Sequence, residues 1–282
     1  MYYGIISISA LLFSLVFVFS DKYRSKYGSG TDAVLKFTAG SHFAGFAALL
    51  IINKFHFEIT VFSAVAAAVA AFDVILFNLF SLRALGKTNL SKYSVFSMIG
   101  GMALPFTAGI IFFNEELTVG KIICLVLVAV SLAFTIEKGE NKGGAFYYIG
   151  VFITNGLYGV INKFFIAAHF EKTSEAGFSV LIEGITVVMC LILLIFAKDR
   201  IGIVKGKGLL YMGGYGAMCA VGNLFLLIAL RGLPASAQYP FVTGGVMIIS
   251  TVYSFFTQNK PGRKEIISVA LSMLGILALV LL

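Results

Sequence analysis

The phrase NLFSLRAL at Asn78–Leu85 returns as NLFLLIAL at Asn223–Leu230, with six of eight positions identical and an offset of 145 residues in a chain of 282. The match continues on either side at nearly the same offset. Gly100-Gly101 answers to Gly244-Gly245, Phe112 to Phe256, Ile122-Ile123 to Ile266-Ile267 and, upstream, Tyr2-Tyr3 to Tyr147-Tyr148. A fixed offset of this kind is the mark of an internal duplication. Its length is half the chain, so it divides the protein into two similar halves, 1–140 and 141–282, and not into a solenoid.

Composition sets the class of both halves. The chain is 59% hydrophobic and 12% charged, against about 25% charged residues in a soluble domain, and its mean hydropathy is +0.98. These values describe an all-α integral membrane protein. The net charge of +8 sits in short links between apolar runs, where lysine and arginine meet lipid headgroups and set orientation. No nucleic-acid-binding pattern occurs. Cys124, Cys190 and Cys219 all lie inside apolar runs, as buried thiols do. His42, His56 and His169 are scattered, so no metal site, catalytic cluster or cofactor is expected, and the chain does not read as an enzyme. The N-terminus is apolar from residue 2 without a basic flank, which reads as a first span and not a cleaved signal.

A bilayer core takes roughly 17–25 apolar residues per helix. Ten such segments are predicted, at 3–20, 33–53, 59–82, 93–113, 120–136, 145–165, 178–197, 209–230, 239–258 and 265–282. Links carrying breakers separate them, among them KYGSGTD at 26–32, KGENKGG at 138–144, KGKG at 205–208 and NKPG at 259–262. Runs such as CLVLVAVSLAF do not alternate, so barrel strands are excluded. The duplication gives five spans to each half, and five is odd. Two five-helix copies in one chain then enter the membrane in opposite senses, as an inverted repeat about an axis in the membrane plane. The odd-numbered links hold fifteen basic residues and the even-numbered ones five. By the positive-inside rule this puts both termini outside the cytoplasm. The small-residue runs AVAAAVAA from Ala64 and GGYGAMCA from Gly213 let helix backbones approach closely.

An ionisable group in hydrocarbon is a functional candidate because it is costly to keep there. Asp73, in the middle of span three, must face a polar cavity, pair with a cation or stay protonated, which suits cation recognition or proton coupling. Its repeat mate is Met218, so a site around it is asymmetric. Glu183 in span seven either joins such a site or caps an interface. Lys36 either joins it or snorkels to the membrane surface. His42 is a core histidine or a proton carrier. In span six, Asn155, Tyr158 and Asn162 follow at i, i+3 and i+7 on one helical face, as a cavity wall or as helix–helix glue. Lys163 beside them is a gate or a headgroup anchor. Asn78 and Asn223 are repeat mates that either line a central path or fasten each half internally.

The layout and several phrases resemble the drug/metabolite transporter superfamily, in particular its EamA-type members. FFNEELTVGKIICLVLVAVSLAF at 112–134 is similar to the Glu-x-Leu-Thr turn and glycine-bearing final helix that close a repeat of that family. GGMALPF at 100–106 resembles its proline-containing fourth helix. The second half, from LRGLPASAQYPF at 230–241 to the end of the chain, keeps the shape and loses the Glu-x-Leu-Thr. The resemblance implies secondary export or exchange of small metabolites through a central cavity, with Glu115 or Glu116, Leu117 and Thr118 as a structural turn. It also implies cytoplasmic termini, opposite to the basic-residue count.

The expectation is therefore a plasma-membrane transporter, monomer or weak dimer, that moves a small polar or amphipathic metabolite or drug by alternating access. Protons are the expected coupling ion. The competing classes are a non-transporting scaffold or receptor subunit, favoured if the polar groups are paired without a cavity, and a lipid-handling membrane protein.

Overall fold

In lipid every backbone N–H and C=O has to be satisfied within its own segment, which leaves helices as the natural form for long apolar runs. The computed structural model, which describes residues 2–56, 58–87, 90–134, 145–197, 201–255 and 262–282, is all-helical with no strand among those residues. The helices are α1 (Tyr2–Tyr27), α2 (Thr31–Ile52), α3 (Val61–Lys87), α4 (Leu90–Phe113), α5 (Val119–Phe134), α6 (Ala145–Ala167), α7 (Glu175–Ile195), α8 (Lys207–Ala229), α9 (Ala235–Phe255) and α10 (Arg263–Leu281).

Seven of these, α1 to α4 and α6 to α8, contain stretches long and apolar enough to cross a membrane. Their outward faces carry Phe43, Ile51, Val65, Phe72, Ile111, Val188 and Leu191 exposed, a shell that suits lipid and would be a liability in water. The chain is thus compatible with a multi-pass membrane protein. The 16 residues of α5 reach only about 24 Å at 1.5 Å per residue, short of a full bilayer core of about 30 Å.

Several ends differ from the predicted segments. α1 continues from residue 20 to Tyr27 and α3 from 82 to Lys87, because apolar content marks the depth of hydrocarbon and not the end of a helix. The charged turns DKYRSKY and RALGK stay helical beyond it. α9 begins at Ala235, four residues before the predicted 239, and carries Pro240 within its second turn. Of the basic residues behind the orientation argument, Lys138, Lys142, Lys198, Arg200 and Lys260 lie outside the described residues, as does the whole of KGENKGG.

Packing crosses between the halves. α1 lies on α8 and α9, α6 on α3 and α4, α2 on α7 and α8, α3 on α6 and α7, α4 on α9, and α5 on α10. Small residues make the tightest of these crossings possible. Ala67, Ala70 and Ala71 of α3 have no exposure. A Cβ on Gly216 of α8 would lie 2.5 Å from the carbonyl carbon of Ser41 on α2, and one on Gly100 of α4 would lie 2.6 Å from Cα of Phe152 on α6. The connections are tied as well. Lys172 donates to the carbonyls of Phe165, Ile166 and Ala168 at the end of α6, and Ser174 caps α7 by accepting from Gly177 N–H at 3.1 Å.

Candidate functional site

Eight helices surround a cavity of about 160 Å³ in the middle of the bundle; α5 and α10 take no part in its wall. Each wall follows from local sequence. On α3, Phe72 turns outward and is exposed, while Asp73, Phe77 and Asn78 line the cavity. On α6, Thr154, Asn155, Tyr158 and Gly159 do so at helical spacing.

Of the ten residues singled out in the spans, His42, Asp73, Asn78, Asn155, Tyr158, Glu183 and Asn223 line this one cavity. A polar chain connects four helices across it. Glu183 Oε2 of α7 lies 2.6 Å from His42 Nδ1 of α2. His42 Nε2 is 3.5 Å from the Asn78 amide nitrogen of α3, and Asn78 Oδ1 accepts from the Tyr215 hydroxyl of α8 at 3.4 Å. Gly45 leaves room for this arrangement, since a Cβ there would sit 2.7 Å from Glu183 Oε2. Asn78 thus fastens across helices, whereas its mate Asn223 reaches, among the described residues, only Cys219 Sγ on its own helix, at 3.5 Å.

Asp73 stands apart from that chain. The residue is 3% exposed, and neither carboxylate oxygen has a hydrogen-bond partner among the described residues. On the opposite wall the Asn155 amide donates to Ser97 O at 2.6 Å and to Ser97 Oγ at 3.2 Å, binding α6 to α4. Asn155→Val is expected to cost about 1 kcal/mol, the net worth of an ordinary hydrogen bond. Thermal denaturation in detergent reads it, and an unchanged midpoint would show that α4 and α6 are held by packing alone.

The other three, Lys36, Asn162 and Lys163, lie outside the cavity wall. Lys36 does not reach the cavity. Its Nζ pairs with Asp32 Oδ2 at 2.8 Å and donates to Ile201 O at 2.6 Å, while Asp32 Oδ2 accepts from Ile201 N–H at 2.6 Å. The pair pins the chain ahead of α8 onto the start of α2, because a lysine one turn into a helix can reach the surface groups there. Asn162 sits a turn beyond Tyr158, buried outside the cavity wall, and its Oδ1 has no hydrogen-bond partner among the described residues.

Lys163 makes its contact within the protein. Its Nζ lies 2.6 Å from Glu115 Oε1. The same carboxylate accepts from the backbone N–H groups of Ala235 and Ser236, each at 2.8 Å, at the start of α9. Burial alone would raise the Glu115 carboxyl, but the Lys163 ammonium and the Ser236 and Ala235 donors outweigh it and hold it below the usual carboxylate range. Thr118, in the same turn, accepts from Lys121 N–H at 3.3 Å. The sequence reading missed Ser97, Tyr93, Tyr215, Tyr239 and Thr243 on the cavity wall. Tyr239 stands at the end of a stretch that reads as a turn, and the others are residues whose type alone does not separate wall from core.

Among the described residues no group of three or more His, Cys, Asp or Glu side chains converges as a metal site would. No family model and no curated protein matches the chain. Its fold does recur among solved structures, with 28 chains matching. One, described only as "Crystal structure of protein", has a TM-score of 0.77 at 13% identity, over 98% of this chain and 95% of that one. A likeness at that identity extends to the ten-helix fold and no further.

Proposed function

We propose that the chain is a secondary transporter, an exporter or exchanger of a small polar or amphipathic metabolite, related to the EamA-type drug/metabolite transporters. The observation that carries this is the central cavity, whose polar groups come from both halves: His42, Asp73 and Asn78 from the first, and Asn155, Tyr158, Glu183 and Asn223 from the second. A site between two repeats near the middle of the membrane is where alternating access needs it.

The packing supports an inverted repeat. Replacing each helix by the one five places on turns the pair α1–α8 into α6–α3, α2–α8 into α7–α3 and α4–α6 into α9–α1, and leaves α2–α7, α4–α9 and α5–α10 as they are. That is a two-fold relation between halves. With five spans in each half, the copies run opposite ways through the membrane, and α5 and α10 sit together at the periphery as short spans. The site is a plasma-membrane one on this reading, with both termini outside by the balance of basic residues.

The hydrogen-bonded chain from Glu183 to Tyr215 favours a second reading, a scaffold or receptor subunit whose interior polar groups are only structural. Proteoliposomes separate the two. Vesicles holding the purified protein are incubated with an equimolar mixture of amines, amino acids, organic acids and sugars, with and without a pH gradient, and their contents are read by mass spectrometry. Transport predicts at least one solute accumulating above protein-free vesicles, and gradient-driven accumulation lost in Asp73→Asn. No solute crossing under either condition rejects transport in favour of the scaffold.

A further inference from the structure

The cavity carries an unbalanced charge. Two carboxylates line it and, among the described residues, no lysine or arginine does. Glu183 has the His42 ring 2.6 Å away. Asp73 has no partner at all among the described residues, although an uncompensated ion so deeply buried costs several kcal/mol. The lysines nearest the interior among the described residues are committed elsewhere, Lys121 to Glu116 O, Lys163 to Glu115 and Lys36 to Asp32. In its ionised form Asp73 therefore needs one positive charge beside it.

The rest of the wall defines the kind of cation that fits. Phe13, Phe17, Phe77, Tyr158, Tyr215 and Tyr239 present aromatic surface to the cavity. Aromatic faces attract cations through the ring quadrupole and also bury hydrocarbon. A hydrated metal ion has no hydrocarbon to bury, and the acidic and histidine side chains do not converge to ligate one. An anion would meet two carboxylates, with His42 already paired to one of them and, among the described residues, no lysine or arginine. A cavity of about 150 Å³ accepts a molecule the size of benzene, and this one is about 160 Å³.

We propose that the cavity's ligand is a small organic monocation, with its ammonium group against Asp73 and its hydrocarbon against the aromatic walls. This deepens the transport reading, on which it rests for the passage of a bound cation across the membrane. Asp73 is the recognition group, and the Glu183–His42–Asn78–Tyr215 chain holds the opposite helices in register around it.

Binding to the purified full-length protein tests it, by isothermal titration at neutral pH with probes of one shape and different charge: benzylammonium, benzyl alcohol and benzoate. Benzylammonium is expected to bind about tenfold or more tightly than benzyl alcohol, as a charge-assisted contact requires, and benzoate not at all. Asp73→Asn is expected to erase the difference between benzylammonium and benzyl alcohol, and Asp73→Glu to keep it. The proposal is overturned if benzylammonium does not bind, if benzyl alcohol or benzoate binds as well, or if the preference survives in Asp73→Asn. Should Asp73→Asn fail to fold, the charge series on the unaltered protein decides alone. Cation preference without any solute crossing in proteoliposomes keeps this site and rejects transport. Solute crossing without cation preference does the reverse.

Discussion

Gly216→Ala is expected to destabilise the protein by about 3 kcal/mol, at the upper end of what overpacking costs. The added Cβ would meet Ser41 of α2 at 2.5 Å from its carbonyl carbon and 2.9 Å from its Cα, with the carbonyl oxygen closer still. These are backbone atoms of a neighbouring helix, which no rotamer change can move aside. The two helices must separate, and with them Phe37, which packs edge-on against Tyr215 of α8 with ring centroids 4.8 Å apart. Gly213, one turn earlier on α8, is the control, because an added Cβ there meets nothing within 4 Å. Gly213→Ala should be neutral or stabilising by up to about 1 kcal/mol, the helix-propensity difference between the two residues. Melting of both variants in the same detergent checks the contrast. Equal midpoints would mean that α2 and α8 are not in the close contact described.

That contrast also shows where sequence reasoning reaches and where it stops. GGYGAMCA announced a tight crossing, since small residues four apart have that use in lipid, but nothing in the phrase distinguishes Gly216 from Gly213. The partner that decides is Ser41, 175 residues away. The helices themselves were legible because hydrocarbon demands long apolar runs, and their polar ends were not, because hydropathy is silent about DKYRSKY. Asp73, Asn78, Asn155 and Glu183, which line the cavity, were legible as candidates for the same energetic reason: a polar group in an apolar span needs a cavity or a partner. The principle could not choose between those two outcomes, and so it admitted Lys36, whose partners Asp32 and Ile201 lie at the surface turn. It also passed over Tyr215 and Tyr239, since a tyrosine in a span is ordinary until its helix is seen to face inward. The Glu-x-Leu-Thr turn was expected to be structural, and the contacts of Glu115 with Lys163 and α9 give that role a physical content.

Those contacts carry the second large effect. Glu115→Ala is expected to cost about 3–5 kcal/mol, the range for breaking a buried ion pair by removing one partner, with loss of the α9 cap included. Lys163, 13% exposed, would be left with its charge unanswered, and the Ala235 and Ser236 N–H groups would lose their acceptor at a helix start, where such groups have no partner within the helix. Adding Lys163→Met to Glu115→Ala should recover a large part of the loss, because it removes the stranded charge; the uncapped α9 should keep the double variant below the original. Thermal melts of the four proteins give the coupling directly. Additive losses would show that the two side chains do not act as a pair. The pH dependence has a definite sign. The folded-state carboxyl is held below its ordinary value of 4.5, so its contribution is fully present above that value and is lost as pH falls through the lowered one. Glu115→Ala should therefore flatten the acid side of the stability profile and leave the neutral side parallel to that of the unaltered protein. Because Tyr239 lies one turn beyond the N–H groups that Glu115 holds and forms part of the cavity wall, loosening the start of α9 should also weaken benzylammonium binding, while the preference for the cation over benzyl alcohol, which belongs to Asp73, should persist.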